Sequence, residues 1–321
     1  MIKFSTATIE EDELWFRAEM NNRQFSGLSH KLVGTDLENE LLNNDYFTSR
    51  VTRAIKYSKD EVEAWLKNAW NTERVLHENH TIIENTGQSF CMQWAFPQAY
   101  YAVFGTILAM FKAIGYTETT HTSVLRKYGS LMEEGKLPES ISIYCNGCLD
   151  SITYYNIEKP EEIDSHMKLD LNDEETVNNH ICQFLGATRK LRIKEKAVSM
   201  RFKKKNGAPR KRLKEEHWQK VSDSIGNTTI IDFLYRKRIK GNYQDIETYN
   251  ASNFDGKTVL MCLCKIVDRI NLVNEAYTYR AIGDRDYQDI LNKHRSKVEN
   301  TNVKSRYDII KVICENIPSQ D

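Results

Sequence analysis

The chain has 321 residues and no net charge, with 45 Lys and Arg residues against 45 Asp and Glu residues. Its length can bury a sizeable core, and a charged fraction of 28% with only five prolines excludes a disordered or collagen-like chain. The N-terminal stretch is acidic and amphipathic and lacks the apolar run of a signal peptide. Seven cysteines, an odd number spread along the chain, indicate a reduced, cytoplasmic protein.

The first strongly periodic helix is predicted to begin at Ser58. Glu61 follows Ser58 at the spacing of a capping box, and apolar residues then recur at the helical period to about Ile83. Residues 85–111 contain no charged side chain and are long enough to span a bilayer. Because this stretch has a polar start and is interrupted by Pro97, it is interpreted as a buried central helix, and no membrane association is expected.

Two further helices are marked by their caps. One is predicted to begin at Thr120 or Thr122 and to end before Gly135. The other, which is as apolar as the central helix, is predicted to follow a cap formed by Ser252 and Asp255. A short amphipathic helix is expected near the end of the chain.

Charge is strongly segregated in the middle of the sequence. Residues 158–175 contain eight acidic and two basic side chains, a net charge of −6, whereas residues 189–220 contain fourteen basic and three acidic ones, a net charge of +11. Only residues 144–155 and parts of 189–203 show the pattern of strands. The neutral total therefore conceals two highly charged segments.

Several short motifs lie within the predicted helices. Residues 99–104 read AYYAVF, Gly115 follows the same helix, His121 stands within Thr-His-Thr, and residues 135–138 read GKLP. In this combination the chain resembles the small HEPN domains of prokaryotes. The resemblance implies a mainly α fold, a HEPN-like antiparallel helical bundle with a large charged α(+β) insertion. It divides the chain into an N-terminal extension (1–57), the first part of the bundle (58–142), the charged insertion (143–228), the second part of the bundle (229–275) and a C-terminal helical extension (276–321).

The same resemblance implies a position for catalysis. Ribonucleolytic HEPN domains carry an Arg and a His, four to six residues apart, before the last bundle helix, and need no metal. The histidine acts on the 2′-hydroxyl and the arginine stabilises the phosphate charge. Here Arg238 and Tyr243 occupy the two positions. A tyrosine, with an ordinary pKa near 10, is a poor base at neutral pH, so the motif is predicted to be degenerate, without metal or cofactor.

The sequence contains three other Arg–His pairs: Arg212 with His217, Arg23 with His30, and Arg74 with His80. Arg212 and His217 have the nominal catalytic spacing, but side chains five positions apart on a helix diverge. His217 is therefore interpreted as a residue at the edge of the core beside a solvated arginine. A turn is expected between Arg23 and His30 at Gly27, and the third pair is expected on a helix surface.

Cys145 and Cys148 form a CxxC motif. A zinc site would need two more ligands, and the nearest in sequence are His166, His180 and Cys182. A redox pair and a turn with two ordinary thiols are the alternatives.

The basic segment is the strongest functional feature of the sequence. It places a Gly-Pro turn between two basic clusters, a geometry that can contact several phosphates, and Phe202 and Trp218 could stack on unpaired bases. The alternative is a solvated face neutralised by residues 158–175. The predicted nucleic-acid contacts are Arg201, Lys203, Lys204, Lys205, Arg210, Lys211, Arg212 and Arg236.

The resemblance implies an RNA-binding protein of a prokaryotic defence, toxin–antitoxin or CRISPR-related system, forming a homodimer. Two alternatives stay open. One is an active, metal-independent endoribonuclease in which Arg238 works with an unusual base. The other is a non-catalytic subunit that binds a protein partner in a defence complex.

Overall fold

The computed structural model describes residues 6–51, 56–86, 92–202, 210, 212–243, 248, 253–294, 298 and 301–317, and the chain is mainly helical, as predicted. The helices are α1 (Thr6–Val33), α2 (Leu37–Leu42), α3 (Lys59–Thr86), α4 (Met92–Ala113), α5 (His121–Glu133), α6 (Glu174–Met200), α7 (Glu215–Ile225), α8 (Ile230–Tyr243), α9 (Gly256–Ile282), α10 (Asp284–Lys293) and α11 (Asn302–Glu315). The strands are β1 (Tyr144–Cys148), β2 (Ser151–Tyr155) and β3 (Thr228–Thr229).

The uncharged stretch forms α4, which lies in the middle of the core with nearly every side chain buried. Helix α3 packs against α4 and runs antiparallel to it. Asn79 bonds to Gln98 near one end of this helix pair, and Glu61 pairs with Lys112 near the other. The two helices approach closely at Gly105, where an added Cβ would lie 2.9 Å from the Cβ of Ala69. In the described part of the chain, none of the helices has the length and hydropathy needed to cross a bilayer.

The predicted caps are largely confirmed. Ser58 accepts a hydrogen bond from the backbone of Glu61, and Thr120, not Thr122, caps α5. Asp255 caps α9, while Ser252 lies outside the described residues. The expected turn at Gly27 is wrong, because α1 is continuous through this position. Helix α1 packs against α6 and α9.

The strand prediction for residues 144–155 is confirmed, since β1 and β2 form an antiparallel hairpin with β3 on the other side of β1. Gly147 has a φ of +90°, and a side chain there would collide with the carbonyl of Ser151. The strand prediction within residues 189–203 is wrong. Residues 189–200 continue α6, which Asp173 caps and whose apolar residues enter the main core at helical spacing.

A buried arginine fixes α6 against the hairpin and α7. The guanidinium of Arg189 donates to the carbonyl of Gly147 at 3.0 Å and to Oγ of Ser222 at 2.8 Å. A second, small core of Ile193, Val221 and Ile225 joins the same two helices. These contacts hold α6 and α7 beside α5 and α8, and an open groove is left between them. The predicted domain limits stay a prediction.

Candidate nucleic-acid interface

Helix α8 directs Arg238 onto the aromatic surface of α4. The guanidinium carbon lies 4.9 Å from the ring centre of Tyr235 and 5.4 Å from those of Tyr100 and Tyr101. One guanidinium nitrogen donates a hydrogen bond of 2.5 Å to the hydroxyl of Tyr101. Tyr235 and Arg238 are three residues apart on α8 and so share a face, and cation–π attraction holds the guanidinium among the rings.

His121, the first residue of α5, completes this group. Its Nδ1 lies 2.8 Å from the hydroxyl oxygen of Tyr100, and its ring centre lies 4.5 Å from that of Phe104. Burial and the positive charge of Arg238 lower the pKa of His121 below its ordinary value near 6.5, so the imidazole is neutral at pH 7. We call Tyr100, Tyr101, His121, Tyr235 and Arg238 the Arg238 cluster.

The charge of Arg238 is not neutralised by its described surroundings. Within that part of the chain, no carboxylate lies at ion-pairing distance from its guanidinium. Tyrosine rings attract a cation without cancelling its charge. Tyr101 is also partly open to solvent, with 38% of its surface exposed. An anionic ligand could therefore pair with Arg238 from the exposed side of Tyr101.

A groove of about 500 Å³ adjoins the cluster and runs between α5, α6, α7 and α8. Tyr235 of the Arg238 cluster and Thr122, next to His121, lie on its wall, whereas Ser199 and Ser224 belong to the ends of α6 and α7. Four basic and two acidic side chains line it: Arg126, Arg192, Lys196, Arg236, Glu195 and Asp232. The groove thus carries an excess of positive charge beside the Arg238 cluster, and Arg192 and Lys196 of the basic segment contribute to it.

The basic side chains of the groove differ in the ion pairs and hydrogen bonds that they already form within the protein. Arg192 pairs with the buried Asp232 at 3.0 Å and donates to backbone carbonyls, so its role is structural. Arg126 donates to the carbonyl of Ser224, and Arg236 donates to the hydroxyl of Thr188 at 3.1 Å. The side chain of Lys196 forms neither an ion pair nor a hydrogen bond with any residue of the described ranges, where only its backbone carbonyl accepts one. Lys196 is therefore the groove cation best placed to contact a phosphate.

Most predicted contacts in the basic segment fall at or beyond the edge of the described structure. Arg201 is exposed at the left-handed C-cap of α6, with a φ of +44°, and Arg212 is exposed as well. The backbone of Arg210 donates to the carbonyl of Phe202 at 2.8 Å. Lys203, Lys204, Lys205 and Lys211 lie outside the described residues, as does the side chain of Tyr243, the last residue of α8.

The Arg212 and His217 pair does not form a site. Nδ1 of His217 accepts a hydrogen bond from the backbone of Lys214 at 3.2 Å, and its ring meets Phe202 edge-on with centres 5.0 Å apart. His217 thus stabilises the first turn of α7 beside an exposed arginine. Arg23 and His30 both lie on α1, and Arg74 and His80 both lie on α3.

The CxxC motif lies on β1, with Cys145 buried and Cys148 half-buried. Burial raises the pKa of Cys145 to about 12, so it stays a neutral thiol. Among the residues that the structure describes, neither cysteine belongs to a group of three side chains able to hold one metal ion. The alternative of two ordinary thiols fits this geometry best.

Sequence reasoning missed His121, Arg126 and Lys196 as site residues. His121 was visible only as part of a helix-opening motif, and Lys196 only as one of fourteen cations in its segment. Neither of these sequence features predicts which side chains, far away in the chain, surround His121 and Lys196. Searches with family models, against curated proteins and against solved structures found no match to this chain.

Proposed function

We propose that this chain binds nucleic acid, RNA in particular, through the Arg238 cluster and the adjoining groove. The observation that carries the proposal is Arg238 itself, a guanidinium among three tyrosine rings with no carboxylate partner in the described part of the chain. A guanidinium can pair with phosphate through two parallel hydrogen bonds. The exposed part of Tyr101 offers a surface on which an unpaired base could stack.

The groove extends this surface toward the basic segment. Lys196 lies along it, and Arg201 follows the end of α6 near Ser224, whose hydroxyl is 3.9 Å from the sulfur of Met200. A strand of nucleic acid anchored at Arg238 could therefore place successive phosphates near these cations. The preference for RNA, the setting in a prokaryotic defence, toxin–antitoxin or CRISPR-related system, and the homodimer rest on the HEPN resemblance and belong to the same proposal.

Fluorescence anisotropy with a labelled single-stranded RNA tests this proposal. Arg238→Ala should weaken binding at least about tenfold, which corresponds to about 1.4 kcal/mol. The matched control is Arg285→Ala, because Arg285 is exposed and lines a separate depression with Tyr57 and Lys59. Each lost phosphate contact should also reduce the slope of log affinity against log salt by about 0.7.

Three outcomes of that experiment would contradict parts of the proposal. Equal weakening by Arg238→Ala and Arg285→Ala would show that Arg238 has no special role. Equal affinity for RNA and for DNA of the same sequence would remove the preference for RNA. Failure of the wild type to bind RNA at low salt would reject the proposal and favour a subunit that binds an acidic protein partner.

The position of His121 favours a second candidate, a metal-independent endoribonuclease. If Nδ1–H donates to the hydroxyl oxygen of Tyr100, Nε2 keeps its lone pair and can take a proton from a 2′-hydroxyl. Arg238, which is close enough to lower the pKa of His121, would stabilise the charge on the attacked phosphate. In this candidate, His121 supplies the base that Tyr243 cannot.

RNA degradation in EDTA separates this candidate from binding alone. Cleavage by the wild type that is lost in both His121→Ala and Arg238→Ala, but kept in His80→Ala, would support it. His80 is a suitable control because it pairs with Glu84 on α3 and takes no part in the Arg238 cluster. Absence of cleavage by the wild type would reject the ribonuclease and leave the binding proposal unaffected.

A further inference from the structure

A second group of charged side chains lies in the core between α3, α9 and α11, away from the proposed nucleic-acid surface. Glu73 on α3 and Glu275 on α9 are fully buried, and both bond to the guanidinium of Arg306 from α11. Asp268 on α9 bonds to the same guanidinium at 2.9 Å. His77 lies one turn beyond Glu73, with its Nε2 3.9 Å from a Glu73 oxygen.

The charges of this group do not balance. Three carboxyl groups surround one guanidinium in a largely buried place. In their ionised forms they carry two more negative charges than Arg306 can balance, and one divalent cation would neutralise this surplus.

The geometry points to a binding site for a divalent transition-metal ion of the zinc type, held by Glu73, His77 and Asp268. One ligand atom from each of these residues lies within 4.8 Å of the other two, so small side-chain movements would bring all three to one ion. A set of one imidazole and two carboxylates suits zinc, whereas magnesium and calcium prefer oxygen ligands only.

Two details of His77 fit this assignment. Its Nε2 is shielded from solvent and has no hydrogen-bond partner among the described residues, although a buried ring nitrogen ordinarily has one. The side chains of His77 and Asp268 are 31% and 25% exposed, which gives an ion a path from solvent.

The site would fasten the C-terminal helix to the bundle. Arg306 and Asn302 of α11 both bond to Asp268, so an ion on Asp268 would order the same side chains that hold α11 in place. The ion would bind the folded chain better than the unfolded one and so raise its melting temperature. This inference does not depend on the proposed RNA binding.

Calorimetric titration of the EDTA-treated, dialysed full chain with zinc chloride tests the site. The wild type should bind one zinc ion and melt at a higher temperature when zinc is present. His77→Ala should bind at least about tenfold more weakly, because changes outside the ligand shell alone cost about 10–100-fold. The matched control is His80→Ala, since His80 forms the same kind of i,i+4 pair with Glu84 but belongs to no three-residue group of possible metal ligands in the described part of the chain.

Asp268→Asn serves as a second variant, since it keeps the size of the side chain but removes its charge, and it should also weaken zinc binding. Both variants are compared with the wild type in EDTA to confirm that they fold. Zinc binding that is unchanged in His77→Ala, absent from the wild type, or equally weakened in His80→Ala would overturn the assignment. An equal rise in melting temperature with magnesium chloride would overturn the zinc-type ligand set.

Discussion

Arg306 and Arg238 occupy opposite kinds of surroundings in one protein. Arg306 is almost completely buried and bonds to Glu73, Glu275 and Asp268, so its charge is used within the fold. Arg238 lies among tyrosine rings and has no carboxylate partner in the described residues. The carboxylates around Arg306 more than cancel its charge, whereas the rings leave that of Arg238 free to act on a ligand. The difference predicts that substitutions at Arg306 change stability and that substitutions at Arg238 change binding.

The largest effect should come from Arg306→Met. This change leaves Glu73 and Glu275 buried without their cation, and breaking a buried ion pair in this way costs about 3–5 kcal/mol. Urea unfolding measures the loss. Lys311→Met is the control on the same helix, because Lys311 is half-exposed and its pair with Glu315 contributes at most about 1 kcal/mol. A loss of under about 1 kcal/mol in Arg306→Met would contradict the structural role.

His180 is a third kind of basic residue in this protein, because its surroundings keep the imidazole uncharged. It is fully buried on α6, and burial together with the charge of Arg23 lowers its pKa to about 4, despite the nearby Asp164 and Glu19. The unfolded chain takes up a proton on this histidine near pH 6.5. The contribution of the uncharged His180 to the stability of the fold is therefore complete above that pH and is lost as the pH falls toward 4.

His180→Leu should therefore reduce the acid sensitivity of the protein. The difference in unfolding free energy between pH 7 and pH 4.5 should shrink by about 1–3 kcal/mol relative to the wild type. His30→Leu is the control, because His30 lies exposed on α1. The two variants would show the same pH dependence if burial of His180 had no effect on its protonation.

Arg238→Lys should weaken RNA binding by roughly tenfold while lowering stability by only about 1 kcal/mol. Lysine keeps the charge but lacks the planar group that packs on Tyr100 and Tyr235 and pairs with phosphate through two hydrogen bonds. Anisotropy and thermal melting of the same preparation measure both effects. A large drop in melting temperature would mean that Arg238, like Arg306, serves the fold.

The smallest effect is expected for Tyr101→Phe. It removes the hydroxyl that accepts a hydrogen bond from Arg238 but keeps the aromatic ring, so stability should fall by about 0.5–1 kcal/mol. RNA affinity should change less than about threefold, because the ring can still stack on a base. Tyr101→Ala, which removes both, should weaken binding further, and equal affinity of the two variants would argue against stacking on this ring.

Much of the helical frame could be read from the sequence, but the site could not. The buried helix α4, the Ser58 cap and the strands within residues 144–155 were predicted and are confirmed. The strand expected within 189–203 was wrong because many charged side chains obscured the helical period of α6. Arg238 was predicted at the catalytic position and Arg236 as a nucleic-acid contact. The side chains that surround these two arginines could not be predicted from local sequence patterns.

The sequence by itself determined where α3, α5 and α9 begin, that α4 and α9 are buried and which segments are charged, because caps, period and charge depend on residues close in the chain. Only the tertiary structure decided that Arg238 meets Tyr101, 137 positions away, and that Arg306 meets Glu73, 233 positions away. It also decided that α6 and α8 form two walls of one groove. The physical reason is that charge compensation and metal geometry depend on distances between side chains, which packing sets and local sequence does not encode.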